Sequence, residues 1–286
     1  MEQAEGSWSD WLADRSLRTV IGAARCLPYE SRVRSFGKLV EQGIAPMIGY
    51  RKRAEEQLSL IYPERSDEWR QRTAARVCNN FGRTFIENYS PAGFAKAVER
   101  SVVSGEGLAH LKAANGRPVL FITGHFGNHE APRMALTQRG YRIGGLYRPM
   151  SNPYVEAHYK QTMLSMSGDV FAQGRRGTMQ FVRMLRDGGM GTLLFDVRAT
   201  AFPRMDFLGH PAHTATSAAD IALKLEALVI PYFATRTADG VTFDIAIEAP
   251  VPLTDQATMM REMTARLETR IRANPEQWFW VHRRWN

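Results

Sequence analysis

The chain has 286 residues, 44% apolar and 23% charged, a globular balance with length enough for one large domain or two small ones. Lysine and arginine outnumber aspartate and glutamate by 37 to 29, which favours an anionic partner: nucleic acid, anionic lipid or an acidic protein. Two cysteines, Cys26 and Cys78, with no CxxC, argue against a disulfide framework, and no apolar run approaches the roughly 20 residues of a membrane-spanning helix.

The N-terminal third reads as helical. Its opening, Met-Glu-Gln-Ala-Glu, has the wrong sign for a signal peptide. Residues 7–27 combine Trp8, Trp11 and Leu12 with Arg15, Arg18 and Arg25, the composition of an interfacial helix, although the apolar positions hold no single clean face. An ordinary packed surface helix is the plainer alternative. Val33, Phe36, Leu39, Val40 and Ile44 predict a helix over 30–48, which Pro46 is expected to end. Arg51, Lys52 and Arg53 form a short basic patch, read as a solvated helix start. Ser66 is a candidate N-cap, with Asp67 and Glu68 in the first turn. Ala74, Val77, Cys78, Phe81 and Phe85 then recur at three and four, a buried stripe ending near Tyr89.

From residue 98 strands and helices alternate. Val102 and Val103 suggest a short strand, and Gly107 to Ala114 a helix closed by Asn115-Gly116. Strands are expected at 119–123, 142–147, 169–172, 190–196, 228–235 and 242–248. Helices are expected at 130–139, 153–165, 176–187, 215–226 and 255–273. This alternation predicts an α/β fold: a mostly parallel mixed sheet covered by helices. The organisation is a helical region over 1–97, a candidate for membrane contact, and an α/β body over 98–286, integrated as one domain.

The densest chemistry is in residues 119–130, Val-Leu-Phe-Ile-Thr-Gly-His-Phe-Gly-Asn-His-Glu. An apolar strand delivers His125, Asn128, His129 and Glu130 to its C-terminal lip, a common site position in α/β proteins. His125 and Glu130 are separated by four residues. If Glu130 opens the next helix, the turn folds the two together, the carboxylate orienting an imidazole that acts as general base. G-x-S-x-G is absent, so direct transfer fits better than a covalent intermediate. Metal binding is disfavoured because the spacing is not H-E-x-x-H, and a nucleotide site because neither phosphate-loop motif is present. Arg148 and Asn152 follow the next strand, Arg175 and Arg176 the one after, and Asp196 ends a third. Arginines at such strand ends suit phosphate or a thioester oxyanion.

Gly-His-Phe-Gly-Asn-His-Glu (124–130), Tyr-Arg-Pro (147–149), Asn-Pro (152–153), Arg-Arg-Gly (175–177), Asp196, Phe-Leu-Gly (207–209) and Pro-Glu-Gln-Trp-Phe-Trp-Val-His-Arg-Arg-Trp (275–285) closely resemble the lipid A biosynthesis lauroyl/myristoyl acyltransferase family, in order from about Leu27-Pro28 to the C-terminus. The resemblance implies a glycerol-phosphate-acyltransferase-like body at the cytoplasmic face of a bacterial inner membrane, with the helical region 1–97 in membrane or acyl-chain contact. It implies an enzyme that moves a fatty acyl chain from acyl carrier protein, or coenzyme A, to a hydroxyl of a lipid A precursor, with no cofactor and no nucleic-acid partner. His125 matches the base and Glu130 its acidic partner, and Asp196 a later acidic site residue. Asn128, Arg148, Asn152, Arg175 and Arg176 complete the expected substrate contacts. His129 replaces the family's usual Trp, Val197 follows Asp196 where a polar residue is common, and 154–168 offers only Lys160 where an arginine is usual. The family's usual N-terminal transmembrane helix is not evident. Another glycolipid or lysolipid acceptor, and a non-catalytic lipid binder on the same fold, stay open.

Overall fold

The computed structural model describes residues 6–285. Among these residues nine strands are present: β1 Val102–Ser104, β2 Val119–Thr123, β3 Ile143–Tyr147, β4 Val170–Ala172, β5 Met190–Leu194, β6 Arg204–Phe207, β7 His210–His213, β8 Leu228–Arg236 and β9 Phe243–Ile247. Seven form one sheet in the order β1-β9-β8-β2-β5-β3-β4, while β6 and β7 make a separate hairpin. Strands β8, β2, β5, β3 and β4 run parallel; β9 is antiparallel to β8, and β1 is parallel to β9. The sheet is therefore mixed and mostly parallel, as the alternation predicts.

The helices are α1 Trp8–Arg25, α2 Tyr29–Leu39, α3 Ala45–Met47, α4 Tyr50–Ile61, α5 Asp67–Asn88, α6 Pro91–Glu99, α7 Gly107–Lys112, α8 Ala131–Thr137, α9 Pro153–Ser167, α10 Arg175–Arg186, α11 Ser217–Leu225 and α12 Gln256–Ala273. Ser66 caps α5 by accepting from the Trp69 N–H, 3.2 Å away. Pro46 does not end the second helix. A π-helical turn over Val40–Ile44 precedes it, and the widened turn carries the chain past a residue that has no N–H to donate. The reversal comes instead at Gly49, whose φ is +73°. The Arg51–Arg53 patch lies in the first turn of α4, the helix start expected there, while two further elements, α6 and the β6–β7 hairpin, were not foreseen.

The sheet lies between two apolar cores. In β2 every residue is buried. Leu120 and Ile122 face a core shared with Val33, Phe36 and Val77 of the N-terminal helices and with Met259, Met263 and Leu267 of α12. Val119 and Phe121 face the other, with Phe94 of α6, Leu111 of α7 and Met134 of α8. A strand covered on both faces reads as an unbroken apolar run, which is why this one was conspicuous. Helices α2, α4 and α5 thus share the core on one face of the sheet, and α6 the core on the other. No helix among the described residues is long and apolar enough to cross a membrane.

Candidate active site

Strand register builds the site. β2 and β5 are paired through Thr123 opposite Leu194. His125 and Asp196 each lie two residues beyond that last pair, so they meet at the shared C-terminal lip. The His125 Nδ1 is 2.8 Å from the Asp196 Oδ1, and the His125 backbone N–H donates to the Oδ2 at 2.7 Å. Trp278 donates its indole N–H to the same Oδ2 at 2.9 Å. Asp196 is 2% exposed. Burial alone would raise its pKa. The His125 charge and the hydrogen bonds from His125 and Trp278 outweigh that and hold it well below the usual carboxylate range. An ionised carboxylate only accepts, so Nδ1 carries the proton and Nε2 is left as the basic nitrogen. No described residue bonds Nε2, and the side chain is 30% exposed.

The turn fits only glycine at two positions. Gly127 has φ +56°, and a Cβ there would lie 1.8 Å from the Ala234 carbonyl oxygen. A Cβ on Gly124 would meet the Asp196 Oδ2 at 2.9 Å, disturbing the carboxylate that holds the histidine. The Gly127 N–H donates to the Gln277 carbonyl at 2.9 Å, and its carbonyl accepts from Thr84 Oγ1 at 2.9 Å. The turn is thereby pinned between α5 and the C-terminal segment.

Glu130 sits elsewhere than the sequence reading places it. The hydrogen-bonded carboxylate of His125 is that of Asp196; Glu130 instead accepts from the Arg133 Nε at 2.8 Å and forms an ion pair with its guanidinium. Glu130 is the N-cap of α8, and Arg133 lies one turn on, so this contact forms within the helix and points the carboxylate at its own arginine. Burial would raise the Glu130 pKa, but the Arg133 charge and hydrogen bond, helped by His129, bring it below its ordinary value. His129 lies between the two centres, its ring centroid 5.2 Å from that of His125 and its Nε2 4.0 Å from Glu130 Oε1. Burial, and then the nearby His125, push the His129 pKa down to about 4.

Asn128 is fully buried. Its amide donates to Glu87 Oε2 at 2.9 Å, and its oxygen accepts from the Glu130 N–H at 3.0 Å, so both ends bind protein. Glu87 in turn pairs with Arg236 at the end of β8. Asn152 caps α9, accepting from Tyr154 and Val155, and donates to the Asp10 carbonyl of α1 at 2.8 Å. These two asparagines hold elements together. Arg148, Arg175 and Arg176 are exposed at the same lip as His125, after β3 and β4, and among the described residues they make no salt bridge. The Arg148 charge reaches His282, one of the influences on that residue's lowered pKa, after burial.

The sequence reading singled out 275–285 as a motif but gave its residues no role. Phe126 and Trp278 form an antiparallel bridge. Phe279 stacks on the His125 imidazole with centroids 5.4 Å apart, and His282 Nε2 accepts from the Arg198 N–H at 2.9 Å. The aromatic density of the segment was the available signal; its destination was not. No group of three or more metal-ligating side chains occurs among the described residues.

Taken together, the lip offers a buried carboxylate, an oriented imidazole with one free nitrogen, and arginines without salt bridges after β3 and β4. That arrangement suits proton transfer from a hydroxyl during attack on an acyl carbonyl. The chain is 24% identical to the lipid A biosynthesis lauroyltransferase of Escherichia coli (strain K12), over 97% of this chain and 91% of that protein. It is 24% identical to the lipid A biosynthesis myristoyltransferase of the same organism, over 81% and 73%. It is 22% identical to lipid A biosynthesis acyltransferase 2 of Shigella flexneri, over 81% and 76%. The family model of the bacterial lipid A biosynthesis acyltransferases matches residues 5–286, nearly the whole sequence, and the chain belongs to that family of acyltransferases.

Proposed function

We propose that the protein transfers a fatty acyl chain from an acyl thioester, carried by acyl carrier protein or coenzyme A, to a hydroxyl of a lipid A precursor or related glycolipid. The observation that carries this reading is the 2.8 Å contact of His125 with a buried Asp196 beside an uncommitted Nε2. In the proposed reaction Nε2 removes the proton of the acceptor hydroxyl as its oxygen bonds to the thioester carbonyl carbon. The tetrahedral intermediate collapses, the carbon–sulfur bond breaks, and the imidazolium returns the proton to the leaving thiolate. Ester and free thiol are the products, and no electron donor is needed. Asp196 holds the tautomer and stabilises the imidazolium; Glu130 acts one layer back, through Arg133 and His129. Arg148, Arg175 and Arg176 face the phosphates of the acceptor or the developing oxyanion.

The chain's formal charge of +8 suits an acidic carrier and an anionic membrane surface. Trp8, 76% exposed, stacks on Trp11 at 4.7 Å, with Arg15 over the Trp11 ring, a fitting face for peripheral attachment at the inner membrane. The test is mass spectrometry of lipid extracts from cells with and without the protein. Loss of one acyl chain from one glycolipid, reproduced by His125→Ala, is the expected result. An unchanged lipid profile, or full activity in His125→Ala, would sink the reading.

A further inference from the structure

From His125 a row of aromatic rings leads toward the N-terminal helices. Phe279 lies 5.4 Å from the imidazole, Phe81 of α5 5.5 Å from Phe279, and Tyr50 of α4 5.9 Å from Phe81. Three separate elements contribute these rings, so no local periodicity produces the line. Each of the three residues packs against the core and stays partly exposed. The row ends where α3 turns into α4. There Met47 is 86% and Ile48 50% exposed, and nothing crowds Gly49 at the turn. Arg53 lies over the Tyr50 ring at 5.4 Å. The aromatic side chain of Tyr89, on the α9 side of the fold, is buried and offers no comparable open face.

We propose that Phe279, Phe81 and Tyr50 form the floor that receives the donor's fatty acyl chain, with Met47 and Ile48 at its outer end. This rests on the acyl-transfer reading above. A chain whose carbonyl carbon reacts beside His125 must lay its methylenes on apolar surface that begins there, and this row begins at the His125 ring itself. Each methylene withdrawn from water strengthens binding, so a floor of three rings discriminates by length. The exposed Met47–Ile48 corner, followed by Arg51 and Lys52, leaves the outer end of the row open for the tail of the chain.

Two measurements on the purified full chain test this. In the first, kcat/KM is compared for hexanoyl and dodecanoyl thioesters with the native protein, Phe81→Ala and Tyr50→Ala. Both variants should lose about tenfold with dodecanoyl, through KM, and stay close to native with hexanoyl, which ends near Phe279. Should Phe81→Ala fail to fold, Tyr50→Ala at the far end of the row carries the comparison. In the second, a dodecanoyl thioester with a diazirine at its chain end is photolysed on the native protein and on His125→Ala. Adducts should map to residues 47–53 in both. Parallel losses for the two donors, a profile that follows the acceptor's chains instead of the donor's, or adducts elsewhere would overturn the proposal. The adduct map needs no turnover, so native protein that transfers nothing from any donor defeats the acyl-transfer reading while the map still judges the chain site.

Discussion

Asp196 is a buried and Glu130 a largely covered carboxylate on the His125 side of the sheet, and their partners divide their roles. Asp196 spends its hydrogen bonds on the His125 ring, the His125 backbone and Trp278. Glu130 spends its own on Arg133. His129 adds a pH signature. Its pKa falls from 6.5 to about 4 on folding, so the unfolded chain takes up a proton that the folded chain refuses. Stability should be full above about pH 6.5 and decline as pH falls toward 4, by an upper bound of about 3 kcal/mol from this residue. His158 and His282, also lowered chiefly by burial, act in the same direction. Urea unfolding at pH 7.5 and pH 5 should show a smaller loss in His129→Phe than in the native protein. An equal loss in both would remove His129 as the cause.

At the scale of elements, the site is a strand lip clasped by a distant segment. Residues 275–285 return to the β2 turn through the Phe126–Trp278 bridge, the Gly127–Gln277 hydrogen bond and the Phe279 stack. Trp278→Phe keeps the ring in its pocket and removes only the donor to Asp196. Losing a hydrogen bond to a charged group costs about 1.5–3 kcal/mol, so kcat should drop roughly 10- to 100-fold with the fold intact. Native-like kcat in that variant would reduce Trp278 to packing. The strand and turn of this lip were legible in the sequence because a strand buried on both faces is an unbroken apolar run. The partner of His125 was not. Sequence proximity favours Glu130, five residues away, whereas Asp196 arrives from 71 residues downstream because β5 pairs with β2. Asn128 and Asn152 were likewise read as site residues, yet their amides are consumed by an N-terminal helix and by a helix cap. Polar residues beside a motif look alike until their partners are known.

In the whole molecule one apolar core joins α2, α4 and α5 to one face of the mixed sheet, while α6 belongs to the core on the other. The parallel body was readable from alternating periods. The β6–β7 hairpin was not, since each strand is only four residues long and Pro211 interrupts the second. The outward result is a basic surface with Trp8, Leu12, Met47 and Ile48 exposed on the N-terminal helices. Binding to vesicles containing anionic lipid should therefore weaken as salt rises toward 1 M, where screening shortens to about 3 Å, and weaken further in Trp8→Ala. Salt-independent binding in a flotation assay would point to apolar insertion alone.

In the proposed reaction Asp196, in place of Glu130, orients the base. Single-turnover acyl transfer from a dodecanoyl thioester to a lipid A precursor measures it most directly, comparing Asp196→Asn with Glu130→Gln. Asp196→Asn should fall by about 10²- to 10⁴-fold, because the amide no longer fixes the tautomer or stabilises the imidazolium, and Glu130→Gln should fall by much less. A near-native rate in Asp196→Asn, or a larger loss in Glu130→Gln, would contradict it.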